Sequence, residues 1–170
     1  MKAEAKALIE QLKLAPLPHE GGFFRQTWIS PSQLPDGRGV GSAILFLLTD
    51  IAFSALHRLR TDEIWLFHAG DPVEHIQLIP GQPSPVIVRI GPYVLDGDAP
   101  QLVVRGGNWQ GAHLVSPRDD GKNAARPTGW SLMSCVMAPG WDDRDFVLGY
   151  RKSLVEEYPL AEAQIRALTR

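Results

Sequence analysis

The feature that most constrains the fold is a succession of short segments rich in β-branched and aromatic residues, each bounded by turn-forming residues. Between residues 42 and 137 the chain leaves little room for a helix. The predicted strands are 42–49, 53–59, 63–69, 73–79, 85–91, 101–105, 109–116 and 130–137. Turn sequences such as Gly70-Asp71-Pro72 and Gly106-Gly107 separate them. Short strands at this spacing predict a mainly β fold, an antiparallel barrel or sandwich.

Helices are predicted only at the two ends of the chain. Residues 3–13 alternate apolar and charged side chains at helical spacing, which predicts an amphipathic opening helix. Residues 143–170 have a helical pattern that Pro159 divides into two pieces. Residues 117–129 form the most polar stretch, and we expect a mobile loop there, near a barrel mouth or an edge.

Length and composition indicate one globular domain over residues 1–170. The chain is 44% hydrophobic and 21% charged, so it has enough apolar residues for a core. Its net charge is −2 without runs of like charge, which disfavours a nucleic-acid or membrane partner. The longest apolar run, 43–48, is too short to cross a bilayer. A secretory signal pattern is absent from the first residues and Cys135 is the single cysteine, so a cytoplasmic location is expected.

Two polar residues on neighbouring predicted strands are the main candidates for chemistry. Side chains alternate between the faces of a strand, so if His57 points into the barrel then Glu63 does too, with Trp65 beside it. As metal ligands, the pair would be joined by Gln110 or water. As an acid/base pair, the carboxyl and imidazole would titrate near neutrality and move a proton. As a structural pair, they would only satisfy each other and fix the strand register.

A second cluster lies at Glu20-Gly21-Gly22-Phe23-Phe24-Arg25. Paired glycines let a backbone pass close to another segment or a ligand, and the Arg25 guanidinium could bind a carboxylate or phosphate. A solvated Arg on a surface strand is the simpler alternative. Trp109 could form a pocket wall that stacks on a sugar or base, or be a core residue. Cys135 lies in an apolar run and is predicted to be buried and inert.

Together these segments resemble the DUF985 family, also called cupin 5. The motifs that carry the resemblance are Glu20–Arg25, His57 with Asp62–Trp65, Gly70–Pro72, Gly107–Gln110 and Cys135–Trp141. They cover the chain from about Leu14 to Tyr158. The resemblance implies a cupin double-stranded β-helix, or jelly-roll barrel, with an N-terminal helix, C-terminal helices and a pocket inside, usually in a homodimer. The motif spacing also favours a functional site over a merely structural His57–Glu63 pair.

The chain departs from the usual metal-binding pattern of cupins. Leu59 stands where the second His of the first motif would be, and Gln110 replaces the last His of the second motif. A reduced ligand set would be His57, Glu63 and Gln110, but an amide oxygen is a poor ligand for iron, manganese or zinc. No cofactor is therefore predicted, and a divalent metal is the least favoured alternative. In the sugar-nucleotide epimerases of this fold, a catalytic Lys stands where this chain has Glu63, so their mechanism does not transfer directly.

Three hypotheses for function remain. The first is an epimerase or isomerase of a sugar or sugar nucleotide, with His57 and Glu63 as the catalytic pair. The second is a non-catalytic cupin that binds a polar metabolite, and the third is a metal-dependent cupin. The residues assigned to ligand binding are Glu20, Arg25, Trp65, Trp109 and Gln110. We expect a small-molecule ligand and a homodimer, because a partner chain commonly covers exposed strand edges.

Overall fold

The computed structural model describes residues 1–117 and 126–170. The helices are α1 (Ala3–Gln11), α2 (Arg151–Glu157) and α3 (Glu162–Ala167). The strands are β1 (Ala15–Pro16), β2 (Phe23–Ile29), β3 (Ser42–Thr49), β4 (Ser54–Arg58), β5 (Glu63–Gly70), β6 (Val73–Leu78), β7 (Val86–Ile90), β8 (Gln101–Val104), β9 (Trp109–Leu114), β10 (Trp130–Met137) and β11 (Val147–Leu148). Each strand predicted from the sequence is present, with its ends shifted by two residues at most.

The strands form two antiparallel sheets, which confirms the predicted mainly β architecture. The six-stranded sheet has the order β1-β2-β3-β10-β5-β8, and the five-stranded sheet has the order β11-β4-β9-β6-β7. Strand β10 lies between β3 and β5 and pairs with β3 along its whole length and with β5 from Ser131 to Met137. A bulge between Leu132 and Met133 shifts its register against β5.

The main core fills the space between the sheets. Phe46, Trp65 and Met133 from the six-stranded sheet pack with Val73 and Ile90 from the five-stranded sheet. All five are essentially inaccessible to solvent. Burying each large side chain contributes about 1.5–3 kcal/mol, so this layer holds the two sheets face to face.

The C-terminal helices cover the outer face of the five-stranded sheet. Leu56, Ile76 and Leu78 point away from the main core and pack against Leu154 and Ile165 of the helices. Because one face of this sheet meets the other sheet and the opposite face meets helices, both sets of alternating side chains are buried. Burial alone therefore does not tell which side chains of this sheet reach the site.

The ends of the chain follow the predictions with two differences. The opening helix ends at Gln11 rather than at residue 13, and the predicted division at Pro159 is present as a short 3₁₀ turn between α2 and α3. The tail predicted as helical from residue 143 instead begins with a 3₁₀ turn at Asp143–Asp145 and strand β11. Most of the predicted 117–129 loop lies outside the described residues. No helix in the described ranges is long and apolar enough to cross a membrane.

Candidate functional site

A cavity of about 400 Å³ opens between the two sheets. Strands β2, β3, β4, β5 and β10 contribute to its walls, together with the turn at 17–20 and the segment 141–146. The lining residues are Leu17, Pro18, His19, Glu20, Phe24, Gln26, Ser42, Ile44, Phe46, His57, Glu63, Cys135, Met137, Trp141, Asp143 and Phe146. Its volume lies within the range of small-molecule sites.

His57 occupies the inner face of β4 and is almost completely buried. Its Nδ1 lies 2.8 Å from the carbonyl oxygen of Ala55, which can only accept, so Nδ1 carries the proton and Nε2 is an acceptor in the neutral ring. The Phe146 ring stacks on the imidazole at a centroid distance of 5.5 Å. Burial lowers the pKa of His57, although the charge of Glu63 opposes this shift. The imidazole is therefore neutral at physiological pH and has a free lone pair.

Glu20 is brought to the cavity by a tight turn that only glycine allows. Gly21 and Gly22 both have positive φ, and a Cβ on Gly21 would lie 2.4 Å from the Phe53 carbonyl oxygen. The Ser54 hydroxyl donates to Glu20 Oε1 at 2.7 Å. Burial raises the pKa of Glu20 to about 7, while the Ser54 hydrogen bond and the charge of Arg170 partly oppose the shift.

Glu63 is the first residue of β5, and two hydrogen-bond donors on the side away from the cavity hold its carboxyl group. Its Oε2 accepts from Gln110 Nε2 at 2.7 Å and from Trp65 Nε1 at 3.1 Å. Burial raises the pKa of Glu63 to about 7; His57 opposes the shift only in its protonated form, and the charge of Glu20 adds to the shift. The predicted His57–Glu63 juxtaposition is thus present in the cavity, with Glu20 as a third member.

Trp65 and Gln110 lie behind Glu63 and not on the cavity surface. The Gln110 amide oxygen lies 3.1 Å from Trp65 Nε1 and 3.2 Å from His75 Nε2, so Nε2 of His75 carries the proton. The Trp65 and His75 rings meet edge to face at 5.0 Å. Burial lowers the pKa of His75 to about 3, so this imidazole stays neutral. The sequence predicts a binding role for Trp65 and Gln110. In this geometry both residues support Glu63.

Arg25 and Trp109 are not brought to the cavity. Phe24 and Gln26 line it, so the alternation along β2 turns Arg25 to the solvent side. Trp109 packs on the outer face of the five-stranded sheet against the C-terminal helices, with the Arg58 guanidinium 4.7 Å from its ring centroid. Neither residue therefore lines this cavity.

Residues that the sequence analysis did not assign to the site complete its walls. Cys135 lies on the inner face of β10, and burial raises its thiol pKa well above the ordinary value, with the charge of Glu63 adding to the shift. The alternation of Met133, Cys135 and Met137 along β10 is the sequence signal that could have placed Cys135 on the inner face. Trp141 and Phe146 come from an irregular segment, for which no periodic signal exists. The Arg38–Asp145 ion pair, 2.7 Å long, fixes that segment.

The donor set does not fit the metal ion that the cupin fold often holds. The Gln110 oxygen already accepts from two buried donors, and Gln110 does not line the cavity. The position of the second His is occupied by Leu59, which is buried in the core. Across residues 1–117 and 126–170, no group of three or more His, Cys, Asp or Glu side chains is arranged to hold a metal. Within the reduced ligand set His57, Glu63 and Gln110, the Gln110 oxygen is already used by Trp65 and His75.

The arrangement is suited to moving protons. A neutral imidazole accepts a proton at Nε2, and the two carboxyl groups have pKa values near 7, so each can give or take a proton near neutral pH. The apolar walls strengthen electrostatic effects inside the cavity by excluding water. His57 Nε2 and Glu20 Oε2 are 3.9 Å apart, too far for a direct hydrogen bond.

Comparison with known proteins identifies the family. The structure resembles a hypothetical protein from Leishmania major, with 33% identity, a TM-score of 0.84 and coverage of 97% of this chain and 98% of that one. It also resembles a Shewanella oneidensis protein, with 31% identity, a TM-score of 0.85 and coverage of 98% and 97%. Oxalate decarboxylase from Bacillus subtilis is 10% identical, with a TM-score of 0.54 over 92% of this chain and 37% of that one, and shares the fold alone.

The family comparison agrees with these structural relatives and with the predicted jelly roll. No match was found among curated proteins. The Cupin superfamily (DUF985) family matches residues 6–149, which include the cavity-forming strands and all three of Glu20, His57 and Glu63. The two sheets described above are the double-stranded β-helix of that superfamily. This chain belongs to the DUF985 family of the cupins.

Proposed function

We propose that the protein is a proton-transfer enzyme of the isomerase or epimerase type, acting on a small, polar, sugar-like molecule in the cavity. The observation that carries the proposal is the meeting of His57, Glu63 and Glu20 in one enclosed space with apolar walls. Buried acid and base groups with shifted pKa values are characteristic of catalytic sites. A purely structural pair would not need to face a cavity of this size.

The chemistry is a reversible proton shift next to a carbonyl group. His57 Nε2 takes the proton from the carbon beside the carbonyl, and the electron pair of that C–H bond forms the enediol double bond. A protonated Glu63 gives its proton to the carbonyl oxygen in the same step. Isomerisation is completed when His57 returns its proton to the former carbonyl carbon while the neighbouring hydroxyl gives its proton to Glu63 and becomes the new carbonyl. Epimerisation is completed when the first oxygen returns its proton to Glu63, which re-forms the carbonyl, and protonated Glu20 gives a proton to the opposite face of the same carbon. Gln110 and Trp65 hold Glu63 in place during both steps.

The substrate is better described as sugar-like than as a sugar nucleotide. Arg25, the predicted anchor for a phosphate, faces solvent. Among the described residues that line the cavity, none is Lys or Arg. A diphosphate would therefore meet carboxyl groups without a compensating cation, which disfavours its binding.

Deuterium exchange tests the proposal directly. A panel of aldoses and ketoses is incubated with the protein in D₂O, and NMR follows the loss of the proton next to the carbonyl. The wild type should exchange deuterium into at least one sugar, and His57→Asn should not. A sugar that binds without exchange or isomerisation would favour the second candidate, a non-catalytic binder. That candidate is favoured by the fixed hydrogen bonds on Glu63, which suit recognition as well as catalysis.

We also propose that the protein forms a homodimer. Trp28 and Ile29 on β2 and the nearby Val40 are 48%, 54% and 41% exposed. Large apolar side chains exposed together near a sheet edge commonly mark a contact with another chain. Light scattering coupled to size-exclusion chromatography should give twice the monomer mass of 18.8 kDa. Replacement of Trp28 and Ile29 by Ser should shift the protein toward the monomer.

A further inference from the structure

The innermost polar groups of the cavity are hydrogen-bond acceptors. Glu20, His57 and Glu63 form what we term the acidic floor. His57 carries its proton on Nδ1, which is used by Ala55, so Nε2 can only accept. Glu20 and Glu63 each have one oxygen fixed by protein donors, Ser54 for the first and Gln110 with Trp65 for the second. When the two carboxyl groups of the floor are ionised, a ligand that reaches them must supply hydrogen-bond donors.

The distance between two floor atoms indicates where such a donor would lie. His57 Nε2 and Glu20 Oε2 are 3.9 Å apart, so they do not satisfy one another. Both side chains are more than nine-tenths buried, and because both line the cavity, these two atoms are open to a hydrogen-bond donor from inside it. A ligand nitrogen at hydrogen-bond distance from both atoms would bridge this gap. An ammonium group has three donors and no acceptor, so it matches a floor made of acceptors.

The walls and the charge balance of the cavity favour the same kind of group. Glu20, Glu63 and Asp143 are acidic, and Lys and Arg are absent from the lining within the described ranges. Four aromatic rings line the walls, those of Phe24, Phe46, Trp141 and Phe146. Aromatic faces attract cations, and the attraction grows when water is excluded. Carboxyl groups opposite a cation are stabilised in their ionised form.

We propose that the physiological ligand carries a basic nitrogen, as in an amino sugar or another small cyclic amine, and that its ammonium group binds between His57 and Glu20 with Glu63 alongside. This inference rests on the proposed use of the cavity as the ligand site and adds the chemical class of the ligand. The polar remainder of the molecule would face Gln26 and Ser42 in the lining, and its ring would pack on the aromatic walls.

Matched pairs of amine and alcohol test the proposal. Calorimetry or ligand-observed NMR measures binding of cyclohexylamine against cyclohexanol, and of 6-amino-6-deoxyglucose, whose amine on a primary carbon stays charged, against glucose. The measurements are made at about pH 8, where carboxyl groups with a pKa near 7 are mostly ionised and cyclohexylamine is charged. The amine of each pair should bind at least about tenfold more tightly than its neutral analogue.

Variants connect this preference to the floor. Glu20→Gln and Glu63→Gln keep the side-chain volume and remove the charge, so each should reduce the amine-to-alcohol affinity ratio toward one. Glu10→Gln, on the exposed side of α1, is the matched control and should leave the ratio unchanged. Thermal melting of each variant checks that it is folded.

The outcomes separate this inference from the proposed function. Equal binding of amine and alcohol, or an amine preference that survives in both floor variants, would overturn the amine assignment. Failure of both amines to bind would also overturn it. Deuterium exchange into a neutral sugar, abolished by His57→Asn, would leave the proton-transfer function standing in each of these cases.

Discussion

The Gln110 amide nitrogen donates to Glu63 Oε2 over 2.7 Å, from a position behind the cavity wall. The same amide receives Trp65 and His75 on its oxygen, so every polar atom of Gln110 is used inside the protein. Gln110 occupies the place of a metal-binding His in the cupin motif and here holds a carboxyl group.

Replacement of Gln110 by Leu should raise the pKa of Glu63 further above its ordinary value. The Gln110 hydrogen bond stabilises the carboxylate and lowers the pKa that burial raises. Loss of the amide also leaves His75 without its acceptor, which should destabilise the fold by about 1–3 kcal/mol. Carboxyl ¹³C NMR titration and urea unfolding measure the two effects. Gln101→Leu, at an exposed position on β8, is the control and should change neither quantity.

Glu63→Gln should stabilise the protein increasingly as the pH rises. Burial raises the pKa of Glu63 from 4.5 to about 7 in the folded state, so the folded protein binds more protons than the unfolded chain between these values. The stability associated with the protonated carboxyl is therefore full below pH 4.5 and is lost as the pH rises through 7. Relative to wild type, the variant should gain about 3 kcal/mol between about pH 4.5 and 8.

The variant must be compared with wild type at each pH, because other groups titrate in the opposite sense. Burial lowers the pKa of His57 and His75, so their contribution to stability is lost as the pH falls below 6.5. Urea unfolding at matched pH values isolates Glu63 from these effects. A stability difference that stays constant between acid and alkaline pH would contradict the buried, uncharged state of Glu63. Glu10→Gln, at an exposed position on α1, is the control variant.

His57→Asn should reduce any turnover in the cavity by about 10²–10⁴-fold, the range typical of losing a general base. Asn cannot take a proton, although its amide can replace part of the hydrogen bonding. His68→Asn is the matched control, because His68 is exposed on β5 and interacts with Ser134 rather than with the cavity. Equal exchange rates in both variants would remove His57 from the mechanism.

Trp109→Leu should lower stability without changing ligand affinity. The indole is buried against the C-terminal helices and under the Arg58 guanidinium, so truncation leaves a void there. A cost of about 2–4 kcal/mol is expected for such a loss in a core. Urea unfolding and binding of the tightest available ligand measure the two quantities. A large drop in affinity with unchanged stability would return Trp109 to the binding site.

Elemental analysis of the purified protein should find no stoichiometric transition metal in wild type or in His57→Ala. The expectation follows from the Gln110 oxygen, which is committed to Trp65 and His75, and from Leu59 at the second His position. Preparation without added chelator or metal keeps the comparison fair. Stoichiometric metal in wild type that disappears in His57→Ala would support the metal-dependent alternative.

The sequence predicts the strands that form the site better than the individual residues that line it. Strands are readable because apolar runs and Gly or Pro turns mark both ends, and β3 and β10 have the predicted bounds. His57 and Glu63 share the cavity as the alternation predicts. Trp109 and Gln110 are neighbours on β9, so alternation places them on opposite faces, and Gln110 reaches Glu63 while Trp109 packs outside. Burial does not distinguish the two faces, because both faces of the five-stranded sheet are covered. Phe146 lies in an irregular segment whose position depends on long-range contacts.

The central place of β10 has a consequence for how the protein acquires its shape. Strands β3 and β5 do not pair with each other, and each uses one edge of β10 instead. A growing chain therefore cannot complete the six-stranded sheet until residues 130–137 have left the ribosome. Until then β3 and β5, both apolar strands, each have one unpaired edge. Folding of this architecture is therefore slow and dependent on contacts between residues distant in sequence. Cys135 lies on that same strand, so the cavity wall beside Glu63 cannot form before residues 130–137 are in place.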